Sequence, residues 1–175
     1  RLLNDVYVNK TTQNYLLQHS AGSGKTNEIA WLAHRLASLH DENDKIIFDN
    51  IIICTDRVVV DRQLQQAVMS LEHKSGFIRV MDDKCNSNDL AKALTGNTKV
   101  IVTTIQKFPY IIGSVKNMAD KKFAVIIDEA HSSTAGKNMS AINYVLSEGE
   151  VAEEAADMQD VIDGMSTSHT KQFLP

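Results

Sequence analysis

The stretch Gln18-His19-Ser20-Ala21-Gly22-Ser23-Gly24-Lys25-Thr26 constrains this chain more than any other. An apolar run, Tyr15-Leu16-Leu17, comes just before it. Residues 28–39 follow with Ile29, Leu32, Ala33, Leu36 and Ala37 on one helical face. The order predicts a strand, a loop and a helix. Gly22 and Gly24 tolerate positive φ and allow the backbone N–H groups to turn inward onto an anion. Ala21, Gly22, Ser23, Gly24, Lys25 and Thr26 are therefore candidate ligands of a nucleoside triphosphate. In that arrangement Lys25 reaches the β and γ phosphates, Thr26 offers a hydroxyl to Mg2+, and the positive end of the helix faces the anion. The strict form of such a loop has glycine five positions before Gly24, where this chain has His19. The Gly-Ser-Gly-Lys-Thr core that wraps the β phosphate is intact.

A second segment completes the chemistry. Phe123-Ala124-Val125-Ile126-Ile127 is continuously apolar and ends in Asp128-Glu129-Ala130-His131. A buried parallel strand with two carboxylates at its C-terminal tip has this pattern. Asp128 is the candidate magnesium ligand together with Thr26. Glu129 is placed to orient and deprotonate an attacking water, because phosphoryl transfer asks the protein mainly for positioning and charge stabilisation. An isolated Asp-Glu pair is usually a solvated helix start, but here it follows an apolar run and lies downstream of a phosphate loop. ATP and Mg2+ are the cofactors implied, with Lys25, Asp128 and Glu129 as the catalytic set, while His131 by itself reads as a plain surface residue.

With these motifs, the chain resembles the first RecA-like domain of superfamily-two helicases and translocases, and within them the motor (R) subunit of type I restriction enzymes. Four segments carry the resemblance: residues 18–26, Ile53-Cys54-Thr55-Asp56-Arg57 with Asp61-Arg62-Gln63-Leu64, Val102-Thr103-Thr104-Ile105-Gln106-Lys107-Phe108, and Ile127-Asp128-Glu129-Ala130-His131-Ser132-Ser133. In order and spacing the resemblance covers about residues 14–136. The histidine heading the loop, Thr-Asp-Arg followed by Asp-Arg-Gln-Leu, and Thr-Thr-Ile-Gln-Lys-Phe look like that R subunit more than a generic helicase. Asp-Glu-Ala-His is a signature box of the superfamily, in which the histidine couples the nucleotide site to the rest of the motor.

The resemblance implies that the middle segments face nucleic acid, making Thr55, Arg57, Thr104, Gln106 and Lys107 candidate contacts to the DNA backbone. Hydroxyls, amides and cations at strand ends suit phosphate binding that does not read sequence. Each also has a plain structural role open to it: Arg57 and Arg62 as solubilising residues of a helix over 57–71, and Thr104 as a helix cap. The resemblance further implies double-stranded DNA, together with modification and specificity subunits, as partners. The activity it implies is ATP-dependent DNA translocation in a prokaryotic restriction system. Another superfamily-two helicase acting on RNA or in DNA repair, or a nucleotide-responsive scaffold, is the alternative. Intact Lys25, Thr26, Asp128 and Glu129 argue against an inactive scaffold.

The chain has 175 residues, 43% of them hydrophobic, enough for one globular domain over residues 1–175. Apolar runs at 51–54, 100–103 and 123–127 alternate with helical stretches. This predicts an α/β fold of RecA-like type, with a parallel sheet covered by helices on both faces. No run reaches the length of a membrane span, so no membrane partner is expected. The net charge of −4 means that any DNA contact comes from a local basic strip. Residues 137–175 form an acidic, mostly helical segment on the same reasoning: Glu148, Glu150, Glu153, Glu154, Asp157, Asp160 and Asp163 alternate with apolar residues and read as a solvated face.

Two cysteines, Cys54 and Cys85, lack the spacing of a zinc site and point to a reduced, cytoplasmic setting, with Cys54 in the core. Glu72-His73-Lys74 matches a nuclease Glu-x-Lys only by chance, because it lies at a helix end before Gly76. After His131 nothing resembles the Ser-Ala-Thr segment of the superfamily or the arginine-bearing box of a second motor half. The chain is accordingly expected to be part of a larger polypeptide, lacking the last strand or strands of its sheet and nearly inactive by itself.

Overall fold

Three consecutive isoleucines in an uncharged hexapeptide make the central strand. β1 (Asn50–Thr55) is buried along its whole length in the computed structural model of the chain. The structure describes residues 2–9, 15, 17–18, 20, 23–55, 62–72, 75–82, 84–107 and 121–128. A strand that is apolar on both faces has to be covered on both, which is characteristic of parallel sheets. β3 (Val100–Thr104) and β4 (Phe123–Asp128) flank β1, and β2 (Ile78–Val80) lies outside β3. The sheet order is β2-β3-β1-β4, and every pairing is parallel.

Side chains alternate between the two faces, as the pleat requires. On one face Ile52, Cys54 and Ile101 meet Leu90 and Leu94 of α4 (Ser87–Thr95), and Val125 and Ile127 pack alongside. On the other face Ile51, Ile53 and Val102 meet α1 (Leu2–Asn9), α2 (Lys25–Ala37) and α3 (Arg62–Met69) through Val6, Ile29, Ala33 and Leu64. Helices therefore cover both faces, in agreement with the α/β, RecA-like architecture expected from the apolar runs. Each fully buried isoleucine contributes about 1.5–3 kcal/mol relative to an exposed one. The sheet centre is thus the chief source of stability.

Local signals place the helices. In α2 the buried residues Ile29, Ala30, Ala33, Leu36 and Ala37 recur at helical spacing and form its inner stripe. α4 starts in a capping box: Asn86 accepts from the Asp89 N–H at 3.1 Å, and Asp89 accepts from the Asn86 N–H at 2.9 Å. Gly96 closes that helix, where an added Cβ would come 2.9 Å from the Lys92 carbonyl.

Observed boundaries shift modestly from the expected ones. α2 begins at Lys25 rather than Glu28, because the loop residue Gly24 is itself the N-cap. Of the helix expected over 57–71, α3 occupies Arg62–Met69, and residues 57–61 lie outside the described residues. The strand expected over 15–17 is not observed at Tyr15 or Leu17, and Leu16 is not among the described residues. Both Tyr15 and Leu17 are exposed, and Tyr15 instead donates a 2.6 Å hydrogen bond to Asp5 Oδ2 on α1. Local apolarity proposes a strand, but only a ladder partner makes one. No described helix is long and apolar enough to cross a membrane. The acidic segment 137–175 lies outside the described residues.

Candidate nucleotide site

The site is assembled where the start of α2 meets the C-terminal end of β4. Ser23 N–H donates to Ser20 O at 3.2 Å, closing a turn just ahead of the helix. Gly24 then adopts φ +85°, a left-handed conformation that side chains rarely tolerate. Nothing lies within 4 Å of where its Cβ would be, so backbone conformation rather than crowding explains the glycine. The N–H groups of Asn27 and Glu28 both donate to Gly24 O, at 2.9 and 3.2 Å. Those of Lys25 and Thr26 precede these bonds, and the N-cap glycine has no side chain of its own to offer them. Outward N–H groups at the positive end of a helix are a ready anion-binding geometry.

β4 delivers Asp128 to this point. Its carboxylate Oδ1 lies 2.8 Å from Lys25 Nζ, with the two side chains 18% and 35% exposed. Although the distance is short, Oδ1 makes no hydrogen bond of acceptable geometry and is itself buried, so charge rather than an aligned bond holds it. A buried carboxylate oxygen without a hydrogen bond fits a hard divalent cation, which takes oxygen donors. Thr26, next to Lys25, would supply the second protein oxygen. Among the described residues no group of three or more His, Cys, Asp or Glu could hold a metal unaided.

The strand register ties this site to the neighbouring strands. Asp128 is abreast of Thr55, and Thr55 is abreast of Thr104, so the three residues form a row across β4, β1 and β3 at one edge of the sheet. Thr55 is 1% and Thr104 is 3% exposed, so both lie beneath the surface rather than on it. Gln106 and Lys107 follow in a half-buried helical turn. All three protons of the Lys107 ammonium are directed at carbonyls, those of Met81, Asp82 and Cys85, at 3.1, 2.9 and 3.0 Å. Lys107 thus fastens the end of β3 to the loop after β2. Nothing local in the sequence announces this, because its acceptors lie 22–26 positions away. Ala21, Gly22, Arg57, Glu129 and His131 lie outside the described residues.

The other nucleophiles stand apart from this centre. Burial pushes the Cys54 thiol far above its ordinary range, consistent with a core side chain. Burial also raises the Cys85 thiol, helped by its hydrogen bond with Asp82. The Tyr15 hydroxyl is raised first by its hydrogen bond to Asp5.

Comparison with known proteins agrees with this geometry. The family model of the SWI2/SNF2 ATPase matches residues 2–152, which include α1, the phosphate loop, all four strands and Asp128. No curated protein and no solved structure matched the chain. The parallel sheet, the glycine-started helix and the carboxylate at the tip of β4 are what such an ATPase needs. The chain belongs to the SWI2/SNF2 ATPase family, whose members are helicase-like, ATP-hydrolysing enzymes of superfamily two.

Proposed function

We propose that this chain is the ATP-binding half of the double-stranded DNA translocase in the R subunit of a type I restriction enzyme. The observation that carries the reading is the contact of Lys25 with Asp128 at the edge where Thr55 and Thr104 also end their strands. That the candidate nucleotide residues and the segments that resemble DNA-facing ones share one edge of the sheet supports this reading. The resemblance of Thr55-Asp56-Arg57, Asp61-Arg62-Gln63-Leu64 and Thr103-Thr104-Ile105-Gln106-Lys107-Phe108 to the R subunit supplies the finer assignment.

In this mechanism Lys25 and the N–H groups opening α2 bind the triphosphate and neutralise its charge. Thr26 and Asp128 hold Mg2+, which when bound offsets the charge that builds on the phosphate oxygens. Glu129 orients the attacking water and accepts its proton. His131 links this centre to the rest of the motor, and arginines from a second motor half complete the site. The segments that follow β1 and β3, with Arg57 and Gln106, grip duplex DNA without reading sequence, while modification and specificity subunits select the site. The setting is the prokaryotic cytoplasm.

The test is the ATPase rate of the full-length polypeptide with and without linear duplex DNA, beside its Glu129→Gln variant. A large duplex-dependent rate that the variant loses while still binding ATP is expected. Stimulation by RNA instead, or a rate indifferent to nucleic acid, would overturn the translocase assignment.

A further inference from the structure

The face of the sheet beneath α4 is incompletely covered at β4. Phe123, Val125 and Ile127 pack only partly against the core there, and every residue of β4 is half-buried. Crossovers between parallel strands keep one hand, so the direction taken along the sheet selects the face. α3, leading from β1 out to β2, and α4, leading back from β2 to β3, run in opposite directions and lie on opposite faces, as that rule demands. A chain that leaves β4 on the side away from β1 continues in the direction of α4 and so enters the α4 face.

That face ends in uncancelled positive charge. Lys121, just before β4, donates to the Leu94 and Gly96 carbonyls at 2.8 and 3.4 Å, and Lys92 is exposed on the same end of α4. Residues 90–119 hold four lysines and no Asp or Glu. Residues 148–163 are the reverse, with seven carboxylates and no Lys or Arg. They also carry an apolar stripe: Val151, Ala155, Met158 and Ile162 recur at helical spacing, with Glu154 at its margin. The α2 face suits such a segment less well, because the hairpin that packs there through Ile47 and Phe48 bears Asp41, Glu42 and Asp44. Residues 108–120, which link β3 to β4, carry Lys116 and a single carboxylate, and so do not complement the lysines.

We infer that residues 151–162 dock as a helix beside α4, laying Val151, Ala155, Met158 and Ile162 over Phe123, Val125 and Ile127 with the acidic flank toward Lys92 and Lys121. Exposed ion pairs add little each, so the apolar stripe supplies the affinity and the charges choose the face. Residues 129–150 tether the segment to the end of β4, which raises its effective concentration at this surface. The docked helix braces β4 on the face opposite α2 and requires nothing of the nucleotide assignment.

The test is zero-length carbodiimide coupling of lysine amines to carboxylates in the monomeric full chain, read by mass spectrometry. Coupling of residues 148–163 to Lys92 or Lys121 should exceed their coupling to Lys45, on the α2-face hairpin, by about tenfold. Met158→Asp should abolish that preference. In hydrogen exchange the same substitution should speed the β4 amides about tenfold and leave those of α2 unchanged. Circular dichroism would confirm folding, and Ala155→Asp would replace Met158→Asp if it does not fold. Equal coupling to Lys45 and Lys92, coupling only between two copies, or β4 exchange indifferent to the substitution would overturn the docking. Coupling should also persist with linear duplex DNA present, and its loss would give this face to nucleic acid instead.

Discussion

Two lysines stand at the C-terminal ends of the strands flanking β1, and they are held in opposite ways. Lys107, just beyond β3, gives all three protons to neutral carbonyls at 2.9–3.1 Å. Lys25, against the tip of β4, meets a carboxylate at 2.8 Å. Carbonyls cannot leave without unmaking backbone structure, so Lys107 is a permanent fastener. A carboxylate can be handed to another cation, so Lys25 keeps a partner that it can exchange. The strands differ in the same sense: all of β3 is buried, whereas every residue of β4 is only half-buried. The candidate nucleotide site lies on the less buried side of β1 and the Lys107 fastening on the other.

The sharpest break in this comparison is Lys25→Met against Lys107→Met. Lys25→Met should weaken magnesium-ATP binding by about 100-fold, since a charged hydrogen-bonding partner of the phosphates is lost. Its melting temperature should fall as well, because the buried Asp128 Oδ1 loses its counter-charge. A similar fall in affinity for Lys107→Met in a folded protein would erase the distinction.

The packing contrast has its own test. Ile101 on β3 is fully buried, and Ile126 on β4 is half-buried, with β1 between them. Ile101→Ala should cost about 2–5 kcal/mol in urea unfolding, and Ile126→Ala roughly half as much. Equal losses would show that β4 is as firmly packed as β3.

Lys107→Met comes next in size. It removes three hydrogen bonds from a cation and should cost about 1–3 kcal/mol, read as a lower unfolding midpoint. Duplex affinity of the folded variant should be retained. A fall in DNA affinity without a fall in stability would instead make Lys107 a phosphate contact, the role that the resemblance implied.

These regions were not equally legible in the sequence. Ile51 to Cys54, Val100 to Thr103 and Phe123 to Ile127 stand out because strands buried on both faces must be apolar throughout. β2 is three residues long, too short for any periodicity. The spacing of Asn86 and Asp89 does mark the start of α4, through the capping box. Tyr15 and Leu17 carried a strand's composition without a strand's pairing. Lys25 and Asp128 were recognisable from their motifs, but their mutual ion pair, across 103 positions, was not. The roles of Lys107, Thr55 and Thr104 depended on burial and on distant carbonyls, which local pattern does not encode.

The smallest expected effect concerns acid and again falls on the Lys107 side. The Asp82 carboxyl is held below its usual range, first by the Cys85 thiol and then by the Lys84 N–H, which donates to Oδ1 at 3.0 Å. Its folded pKa is lower than its unfolded one, so the stability it adds is present above the unfolded value, near 3.8, and is lost as pH falls through the folded value. The same loop presents the Met81, Asp82 and Cys85 carbonyls to Lys107. Protonating Asp82 should therefore loosen the fastener before it disturbs the nucleotide site. Asp82→Asn should lower the urea midpoint slightly at pH 7, and the gap from the unmodified chain should close toward pH 3. In a Lys107→Met background the gap should already be smaller at pH 7, because the carboxylate then orders a loop with less to hold. A gap that persists in acid, or one unaffected by Lys107→Met, would separate the carboxylate from the fastener and leave Lys107 held by its three carbonyls alone.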